Sequence, residues 1–357
     1  MKLSTINASN YGIYFNASGF VFLNELLWKT NYSKIFVLTD SNTNRCCLAL
    51  FLSEITADIP LEIIEIEAGE TFKNLQTCEQ VWYALSELEA DRKSLLISLG
   101  GGVVTDLGGF VASTYMRGID FLNVPTSLLA MVDASVGGKT GVDLGVLKNQ
   151  IGVINNPLGV IIDSRFLETL PGEELRSGMA EMFKHGLIQS EVYWQKMLNL
   201  SNLTLDDLDM LIYESVVIKN KVVMQDPTEK GLRKTLNFGH TLGHAIESYC
   251  LENENRQKLL HGEAIAIGMI LAAFLSVQKL NFSSVKCDEI KSAFSNYFEK
   301  QYFTVEEIAE IINLMKFDKK NSHGNINFVL LEDFAKPKIN CLVENGLIYR
   351  AFDYYSN

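Results

Sequence analysis

The sequence predicts an α/β N-terminal domain with a Rossmann-like, mainly parallel sheet, followed by a mostly α-helical C-terminal domain. The first half alternates short β-branched runs with helical patterns, which is typical of βαβ units. Helix-period segments dominate after PGEEL at 171–175, and the length of 357 residues fits about two domains. We therefore expect domains at residues 1–172 and 173–357.

The individual elements follow from hydrophobic periodicity. In the first half, apolar runs predict strands at 34–40, 61–67, 94–100, 121–125 and 159–163, and helical patterns lie between them at 74–90 and 105–118. In the second half, the same criterion predicts helices at 174–188, 205–224, 235–248 and 261–280. The polar stretch ENENRQK at 252–258 is predicted to be a loop.

Composition excludes several classes of protein. A formal net charge of −12 argues against a nucleic-acid surface, which needs clustered positive charge. The start MKLSTINASNYG lacks the apolar core of a signal peptide, and the longest apolar stretch, 264–275, is too short to span a bilayer. Six scattered cysteines indicate free thiols in a reducing compartment. We expect a cytoplasmic protein with no membrane and no nucleic-acid partner.

A glycine cluster follows the third predicted strand in SLGGGVVTDLGGFVAS, at 98–113. Glycines at a strand-to-helix turn let the backbone approach a pyrophosphate, and the helix N-terminus favours its charge. The pattern GxGxxT lacks the last glycine of the dinucleotide fingerprint, so a turn without a ligand is equally consistent with it. Asp40 ends the first predicted strand, where an acidic residue often holds a ribose.

Few cations interrupt the apolar region from Ser98 to Asp163. The basic residues there are Arg117, Lys139 and Lys148, and both lysines have a glycine within three residues. A lysine serves as a point charge for phosphate. The two lysines therefore predict an anion pocket, with an ordinary surface position as the alternative.

Four of the five histidines lie between residues 185 and 261, near glycines and carboxylates. His240 and His244 are four residues apart in TLNFGHTLGHAIES, so on a helix they share a face. Glu181 with Lys184, and Glu229 with Arg233, Asn237 and His240, also fall at helical spacing, and His261 stands at a predicted helix start. One glutamate and two histidines suit a catalytic zinc site. The residues alone do not say which histidines are ligands.

The motifs together identify a resemblance. GGGVVTDLGGFVAS, RGIDFLNVPTSLLAMVDASVGGKTGVD, LKNQIG, GMAEMFKHG, GLRKTLNFGHTLGHAIE and HGEAIAIGM run from Gly100 to Met269, and this region resembles the 3-dehydroquinate synthase family of sugar phosphate cyclases. The resemblance implies a carbon–oxygen lyase of the shikimate pathway. It would convert 3-deoxy-D-arabino-heptulosonate 7-phosphate, a small anionic sugar phosphate, to 3-dehydroquinate and phosphate.

The implied reaction uses catalytic NAD and a divalent metal, zinc or cobalt. Oxidation of one substrate hydroxyl acidifies the neighbouring C–H, phosphate leaves by β-elimination, the ketone is reduced again, and an internal aldol step closes the ring. A metal stabilises the charge that develops on the substrate oxygen. No net NADH appears, and the family is typically a homodimer.

The resemblance also implies site residues. For the metal it implies Glu181, His240 and His261, and for proton handling His244 and Glu229, with Lys139 and Arg233 also catalytic. The implied substrate residues are Arg117, Asp133, Lys139, Lys148, Asn149, Lys184, Lys219, Arg233, Asn237 and Lys319. The implied NAD residues are Asp40, Asn42, Gly69, Glu70, Lys73, Gly101, Gly102, Val103, Val104, Thr105, Asp106, Thr126, Ser127, Lys139, Lys148, Phe166, Leu167, Glu168 and Thr169.

Two departures from the family pattern stand out. The family often has D-E-R-E where this chain has Asp226-Pro227-Thr228-Glu229, so contacts of the missing arginine are in doubt, and the loop at 252–258 is longer than usual. The alternative functions are another sugar phosphate cyclase, of the deoxyinosose or valiolone type, a metal-dependent NAD polyol dehydrogenase, and a non-catalytic binding module.

Overall fold

The computed structural model describes residues 3–145, 147–200, 204–315 and 326–357. The predicted substrate residue Lys319 lies outside the described residues. The chain divides into two compact units: unit 1 comprises Met1–Leu175 and Leu203–Asn220, and unit 2 comprises Arg176–Asn202 and Lys221–Asn357. The predicted boundary near residue 172 did not anticipate that Leu203–Asn220 belongs to unit 1.

Unit 1 is built on one large sheet. The strands described in unit 1 are β1 (Ile6–Asn7), β2 (Gly12–Phe15), β3 (Ile35–Asp40), β4 (Leu61–Ile66), β5 (Leu95–Gly100), β6 (Asp120–Pro125), β7 (Lys139–Leu144), β8 (Leu147–Ile154) and β9 (Gly159–Ile162). The sheet has the order β1-β2-β9-β6-β5-β3-β4. Only the β1–β2 pair in it is antiparallel, and β7 and β8 form a separate antiparallel hairpin.

Twelve α-helices occur among the described residues. They are α1 (Ala17–Lys29), α2 (Ser41–Ser53), α3 (Leu75–Glu87), α4 (Gly102–Thr114), α5 (Gly172–Gln189), α6 (Glu191–Met197), α7 (Leu205–Gln225), α8 (His240–Glu252), α9 (His261–Leu280), α10 (Ser284–Tyr297), α11 (Val305–Leu314) and α12 (Asn345–Ser356). Unit 2 also contains a two-stranded antiparallel ladder of β10 (Phe328–Asp333) and β11 (Lys336–Cys341).

The burial of the central strands explains the continuous apolar runs of the sequence. Every residue of β5 is buried, as are the first five of β3. Parallel strands covered on both faces need such runs rather than an alternating pattern. The core of unit 1 includes Phe36, Leu96 and Leu107, which are fully shielded from solvent.

Helix α9 is the apolar centre of unit 2. It has the length and hydropathy of a membrane span, unlike the shorter stretch predicted from the sequence, but 67% of its most apolar window is buried inside the protein. That degree of burial is typical of a core helix. All six cysteines are described, and none forms a disulfide.

The predicted fold class is confirmed, and all five predicted strands are present. Three features differ from the expectation. The hairpin β7–β8 and the ladder β10–β11 were not predicted, and the segment 235–248 is not one helix. A 3₁₀-helix at Leu232–Asn237 ends before α8 begins, because Gly239 adopts φ 79° between them, a left-handed conformation that glycine adopts readily.

The longer loop that precedes α9 is held by Arg256. Its Nε donates to Glu307 Oε1 at 2.7 Å, and its Nη2 donates to the Tyr302 carbonyl at 2.6 Å and to Glu307 Oε2. The guanidinium also stacks over the Phe303 ring, 5.1 Å from its centroid. Planar, bidentate pairing of this kind is among the stronger ion-pair geometries, so the polar loop is anchored to the start of α11.

We expect Arg256→Ala to lower the free energy of unfolding by about 1 kcal/mol, which for a chain of 357 residues is about 1–2 °C in Tm. The Arg256 and Glu307 side chains are 22% and 17% exposed, so solvent screening reduces but does not abolish the pair. The Arg256 hydrogen bond is the main cause that lowers the pKa of Glu307. The stabilisation from the Arg256–Glu307 pair is therefore present above the unfolded glutamate pKa of about 4.3. It is lost as the pH falls through the lower pKa of Glu307 in the folded protein.

Thermal unfolding of wild type and variant across pH checks this. The Tm gap should be full at neutral pH and close below about pH 4. Arg350→Ala is the control, because the exposed Arg350 makes a contact with the neutral Gln278 at 3.1 Å. A gap that is unchanged in acid, or an equal loss in the control, would contradict the assignment.

Candidate functional site

The predicted NAD residues lie at one edge of the unit 1 sheet. Asp40 ends β3, and residues 69–73, 101–106, 126–127 and 166–169 follow the carboxyl ends of β4, β5, β6 and β9. Because these strands are parallel, their carboxyl ends meet at the same edge. In the sheet order, β4 and β5 flank β3 on opposite sides, which makes β3/β5 a topological switch point, where α/β folds bind ligands.

Helices α2 and α4 begin at this switch point, directly after β3 and β5. Gly101 is the N-cap of α4, and its carbonyl accepts a hydrogen bond from the Thr105 N–H at 3.0 Å. Asp40 caps α2: its Oδ1 accepts the N–H groups of Asn42 at 2.9 Å and Thr43 at 2.8 Å. The ribose contact of Asp40 and the NAD contacts of Val103 and Val104 stay predictions. The capping of α2 by itself accounts for an acidic residue at the end of β3.

A buried charge network joins several predicted residues of unit 1. Lys73 Nζ donates to Asp106 Oδ2 at 2.6 Å and to Asn149 Oδ1 at 2.7 Å. Burial lowers the pKa of Lys73, but the carboxylates of Asp106, Glu70 and Asp143 outweigh it and raise the pKa above the ordinary lysine value. Lys73 is therefore a permanent cation at the sheet edge.

A second cation, Lys148 on β8, lies in the same network. Its Nζ is 2.9 Å from Glu70 Oε1 and 3.4 Å from Asp143 Oδ2. Asp143 Oδ1 accepts the N–H of Asn149 at 2.6 Å, and Asn149 has the left-handed φ of 52°. Sequence reasoning missed Asp143, a buried carboxylate on β7 that holds the start of β8, where Lys148 and Asn149 lie.

Other predicted substrate residues of unit 1 are distributed differently. Lys219 Nζ is 2.6 Å from Asp133 Oδ1, so these two predicted residues are brought together. Lys139 begins β7. Arg117 is exposed and precedes the amino end of β6, at the opposite edge of the sheet from the cofactor residues, and its substrate contact stays a prediction.

In unit 2, three helices bring together the predicted metal ligands. Glu181 lies in α5, His240 is the first residue of α8 and His261 is the first residue of α9. The start of α9 lies against α5 because Gly262 has no side chain: a Cβ there would be 2.0 Å from the Ser177 carbonyl oxygen. The Gly262 N–H donates to Ser177 Oγ at 2.9 Å.

The two histidine rings point the same nitrogen at one carboxylate oxygen. Glu181 Oε1 is 3.5 Å from His240 Nε2 and 3.8 Å from His261 Nε2. The other nitrogens are anchored: His240 Nδ1 is 3.1 Å from the Phe238 carbonyl oxygen, and His261 Nδ1 is 3.0 Å from Glu247 Oε2. Both partners only accept, so each Nδ1 carries the proton. This is the outer-shell pattern of metal-binding histidines.

The spacing fits a metal of the zinc type. Two atoms bound tetrahedrally to zinc at about 2.0–2.1 Å lie roughly 3.3 Å apart, close to the separations from Glu181 Oε1. The donor set of one carboxylate and two imidazoles matches catalytic zinc sites that leave a position open for substrate or water. Lys184 pairs with Glu181 Oε2 within α5, which leaves Oε1 facing the histidines.

Electrostatics in this cluster favour a cation. Burial lowers the pKa of His261, but the carboxylates of Glu247 and Glu181 outweigh it and raise the pKa to about 10. In the metal-free state the cluster therefore holds a proton at neutral pH. A divalent metal would displace that proton.

His244 belongs to the same cluster. One ring nitrogen from each of His240, His244 and His261 can be chosen so that all three lie within 4.8 Å of one another. The His240 and His244 ring centroids are 5.1 Å apart. Geometry thus places His244 close enough to serve either as a ligand or as a proton carrier, and the role of proton carrier stays a prediction.

The segment that carries Glu229, Arg233 and Asn237 corrects one interpretation. Asn237 ends the 3₁₀-helix and is separated from His240 by the turn at Gly239, so the helix predicted at 235–248 does not carry both residues on one face. Asn237 Nδ2 donates to Glu229 Oε1 at 2.8 Å, and Arg233 is buried. Glu229 and Asn237 therefore meet across a turn rather than along one helix.

Glu247 is a second residue that sequence reasoning missed. It is buried on α8 and accepts from His261. His240, His244 and Glu247 stand at i, i+4 and i+7, the spacing of one helix face. That spacing was a usable signal, although it does not by itself reveal the partner on α9.

We expect Glu247→Gln to weaken metal binding about 10–100-fold, because outer-shell partners of metal-ligating histidines typically contribute that much. Metal titration of the variant against a chelator checks this. Glu252→Gln, at the end of the same helix, is the control. Wild-type affinity in Glu247→Gln would show that the Glu247 contact does not support the metal site.

Comparisons with known proteins agree with this geometry. A family profile described as 3-dehydroquinate synthase N-terminal matches residues 63–177, and one described as 3-dehydroquinate synthase C-terminal matches residues 178–321. A 3-dehydroquinate synthase of Parabacteroides distasonis is 41% identical over 335 residues, which are 93% of this chain and 94% of that protein. One from Listeria innocua is 40% identical over 359 residues, covering 97% and 94%.

Solved structures share the fold. A 2-deoxy-scyllo-inosose synthase complexed with carbaglucose-6-phosphate, NAD⁺ and Co²⁺ aligns with a TM-score of 0.84 at 24% identity, over 98% of this chain and 99% of that chain. A 2-epi-5-epi-valiolone synthase from Streptomyces hygroscopicus with NAD⁺ and Zn²⁺ bound aligns with a TM-score of 0.78 at 21% identity, over 100% and 99%. At these identities the likeness shows the fold. The two profiles and the relatives at about 40% identity show more: this chain belongs to the 3-dehydroquinate synthase family.

Proposed function

We propose that this protein is a 3-dehydroquinate synthase, which converts 3-deoxy-D-arabino-heptulosonate 7-phosphate to 3-dehydroquinate and phosphate. The observation that carries the proposal is the 41% identity over 93% of the chain to a protein of that name. The geometry of Glu181, His240 and His261 supports it, because the reaction needs a site for a divalent metal. The enzyme is a lyase that acts on a small anionic sugar phosphate.

Two cofactors complete the proposal. Glu181, His240 and His261 would hold zinc or cobalt, and the edge of the unit 1 sheet at Asp40 and 101–106 would hold NAD. When bound, the metal supplies a Lewis acid for the oxygen on which charge develops, and NAD supplies a reversible hydride acceptor. The protein itself binds, orients and moves protons.

The polar residues divide by chemistry. Lys139, Lys148 and Lys219 are cations suited to the phosphate and to developing negative charge. Arg233 and Asn237 suit the substrate carboxylate, since a guanidinium donates to both of its oxygens. His244 and Glu229 would move protons, His244 beside the metal cluster and Glu229 beside Asn237. Many such contacts hold a flexible intermediate in one conformer.

Identification of the product tests the proposal. Incubation with the heptulosonate phosphate, metal and NAD should yield dehydroquinate and phosphate in equal amounts. Other sugar phosphate cyclases are less favoured, because the chain is 24% and 21% identical to the inosose and valiolone synthases but about 40% identical to dehydroquinate synthases. A carbocycle formed from a different sugar phosphate, or NADH accumulating with a polyol, would overturn the assignment.

A cytoplasmic homodimer is also part of the proposal. Six cysteines without a disulfide support a reducing compartment, and the family resemblance supports the dimer. Light scattering on the eluted protein tests the oligomeric state. A mass of 40.0 kDa, the mass of one chain, would contradict the dimer.

A further inference from the structure

One carboxylate organises the turn that differs from the family pattern. Asp226 directly follows the end of α7, and it accepts three backbone hydrogen bonds from the turn beyond it. Its Oδ1 accepts the N–H of Lys230 at 3.0 Å, and its Oδ2 accepts those of Gly231 at 2.7 Å and Arg233 at 3.0 Å. Both oxygens are therefore used to close the turn. Bonds from amides to a charged acceptor are roughly twice as strong as neutral ones.

The closed turn presents two residues of the proposed reaction. Glu229 has a φ of 58°, a left-handed conformation that is unfavourable for a residue with a Cβ and persists where surrounding contacts enforce it. The Arg233 side chain is buried and donates from Nη1 to the Pro227 carbonyl at 2.8 Å. Glu229 on one side of the turn and Arg233 at its end are thus fixed by the same carboxylate.

We propose that Asp226 is a positioning residue, which sets the relative placement of Glu229 and Arg233 for the substrate. The inference rests on the proposed function, since it takes Glu229 as a proton carrier and Arg233 as a substrate contact. The proposal also explains how the turn can contain Pro227-Thr228 where the family often has Glu-Arg. The Asp226 carboxylate accepts backbone N–H groups, and the Pro227 carbonyl accepts from the Arg233 guanidinium. The turn therefore keeps its shape without the arginine that many family members have there.

The contacts of Asp226 indicate a structural role, because both carboxylate oxygens accept N–H groups of the turn. Burial raises its pKa, but the N–H groups of Gly231, Arg233 and Lys230 outweigh that effect and lower the pKa. A carboxylate held in this way stays ionised in the neutral range and is a poor proton donor. Its influence on the reaction passes through the turn.

Asp226→Asn tests the inference, because the amide keeps the size but replaces one accepting oxygen with a donor. We expect KM for the heptulosonate phosphate to rise about tenfold and kcat to fall about tenfold, since small misplacements of catalytic groups cost up to about 10² in rate. Metal content and the far-UV spectrum should match wild type. Asp91→Asn is the matched control: Asp91 also caps a turn, accepting the Lys93 N–H at 2.7 Å, but belongs to unit 1 and is not among the proposed site residues.

The outcomes separate positioning from mere stability. A purely structural role would lower kcat in proportion to the folded fraction and leave KM unchanged, and that result in Asp226→Asn would overturn the proposal. If Asp226→Asn does not fold, Asp226→Ser is measured in the same way and against the same criterion. Amide exchange by mass spectrometry over 226–238 should be faster in the variant and unchanged in the control. Unchanged exchange would also overturn the proposal.

The exchange measurement does not depend on the substrate. If wild type makes no dehydroquinate, the proposed function fails, while the exchange result still decides whether Asp226 holds the turn. If wild type is active and KM does not change in the variant, only the positioning inference fails.

Discussion

His261→Ala is expected to abolish bound metal together with activity. The Nε2 of His261 faces Glu181 Oε1 at 3.8 Å, and its Nδ1 is anchored by Glu247. Nε2 is therefore the ring nitrogen that would bind the metal. A metal of this kind stabilises the transition state by several kcal/mol. If that stabilisation is about 4 kcal/mol, its loss lowers the rate about 10³-fold. Metal content measured after gel filtration, together with phosphate release, checks both expectations.

The control for His261→Ala disturbs the same helix start without removing the imidazole. Glu263 Oε2 accepts the Leu260 N–H at 2.8 Å and so caps α9. Glu263→Ala should lower stability by about 1 kcal/mol, the usual cost of losing a cap, and should retain metal. Wild-type metal content in His261→Ala, or equal metal loss in Glu263→Ala, would show that His261 is not a ligand.

His244→Ala is expected to lower kcat about 10²–10⁴-fold, the usual contribution of a general acid or base, while metal content stays near wild type. The two outcomes for the metal separate the two roles that the geometry permits. If His244→Ala loses metal as fully as His261→Ala, His244 is a ligand and our division of roles is wrong. Partial rescue by added imidazole would further support proton transfer.

The parallel sheet could be predicted because buried parallel strands leave a direct trace in the sequence. Runs such as LLISLG at β5 are nearly continuously apolar, a pattern typical of a parallel strand covered on both faces. The hairpin β7–β8 left no such trace. Its strands contain Lys139, Gly141, Lys148 and Gly152, and these lysines suggested an anion pocket without indicating paired strands.

The metal ligands could be named only through the resemblance, since spacing alone allowed several sets of histidines. The structure adds what spacing lacks, namely which ring nitrogen faces Glu181 and which is anchored elsewhere. Glu247 contacts His261 on another helix, and Asp143 contacts Lys148 and Asn149 across a turn. Helical or strand periodicity therefore did not reveal these partners. The break at Gly239 was missed because Glu229, Arg233, Asn237 and His240 happen to stand at helical intervals.

Phosphate release with NAD supplied far below the substrate concentration tests the central claim most directly. A 3-dehydroquinate synthase regenerates its cofactor in each turnover, so release should run to complete conversion of the substrate, with no net NADH and only when metal is present. Release that stops once it equals the NAD supplied, or NADH that accumulates in step with substrate loss, would show that the protein is a dehydrogenase instead.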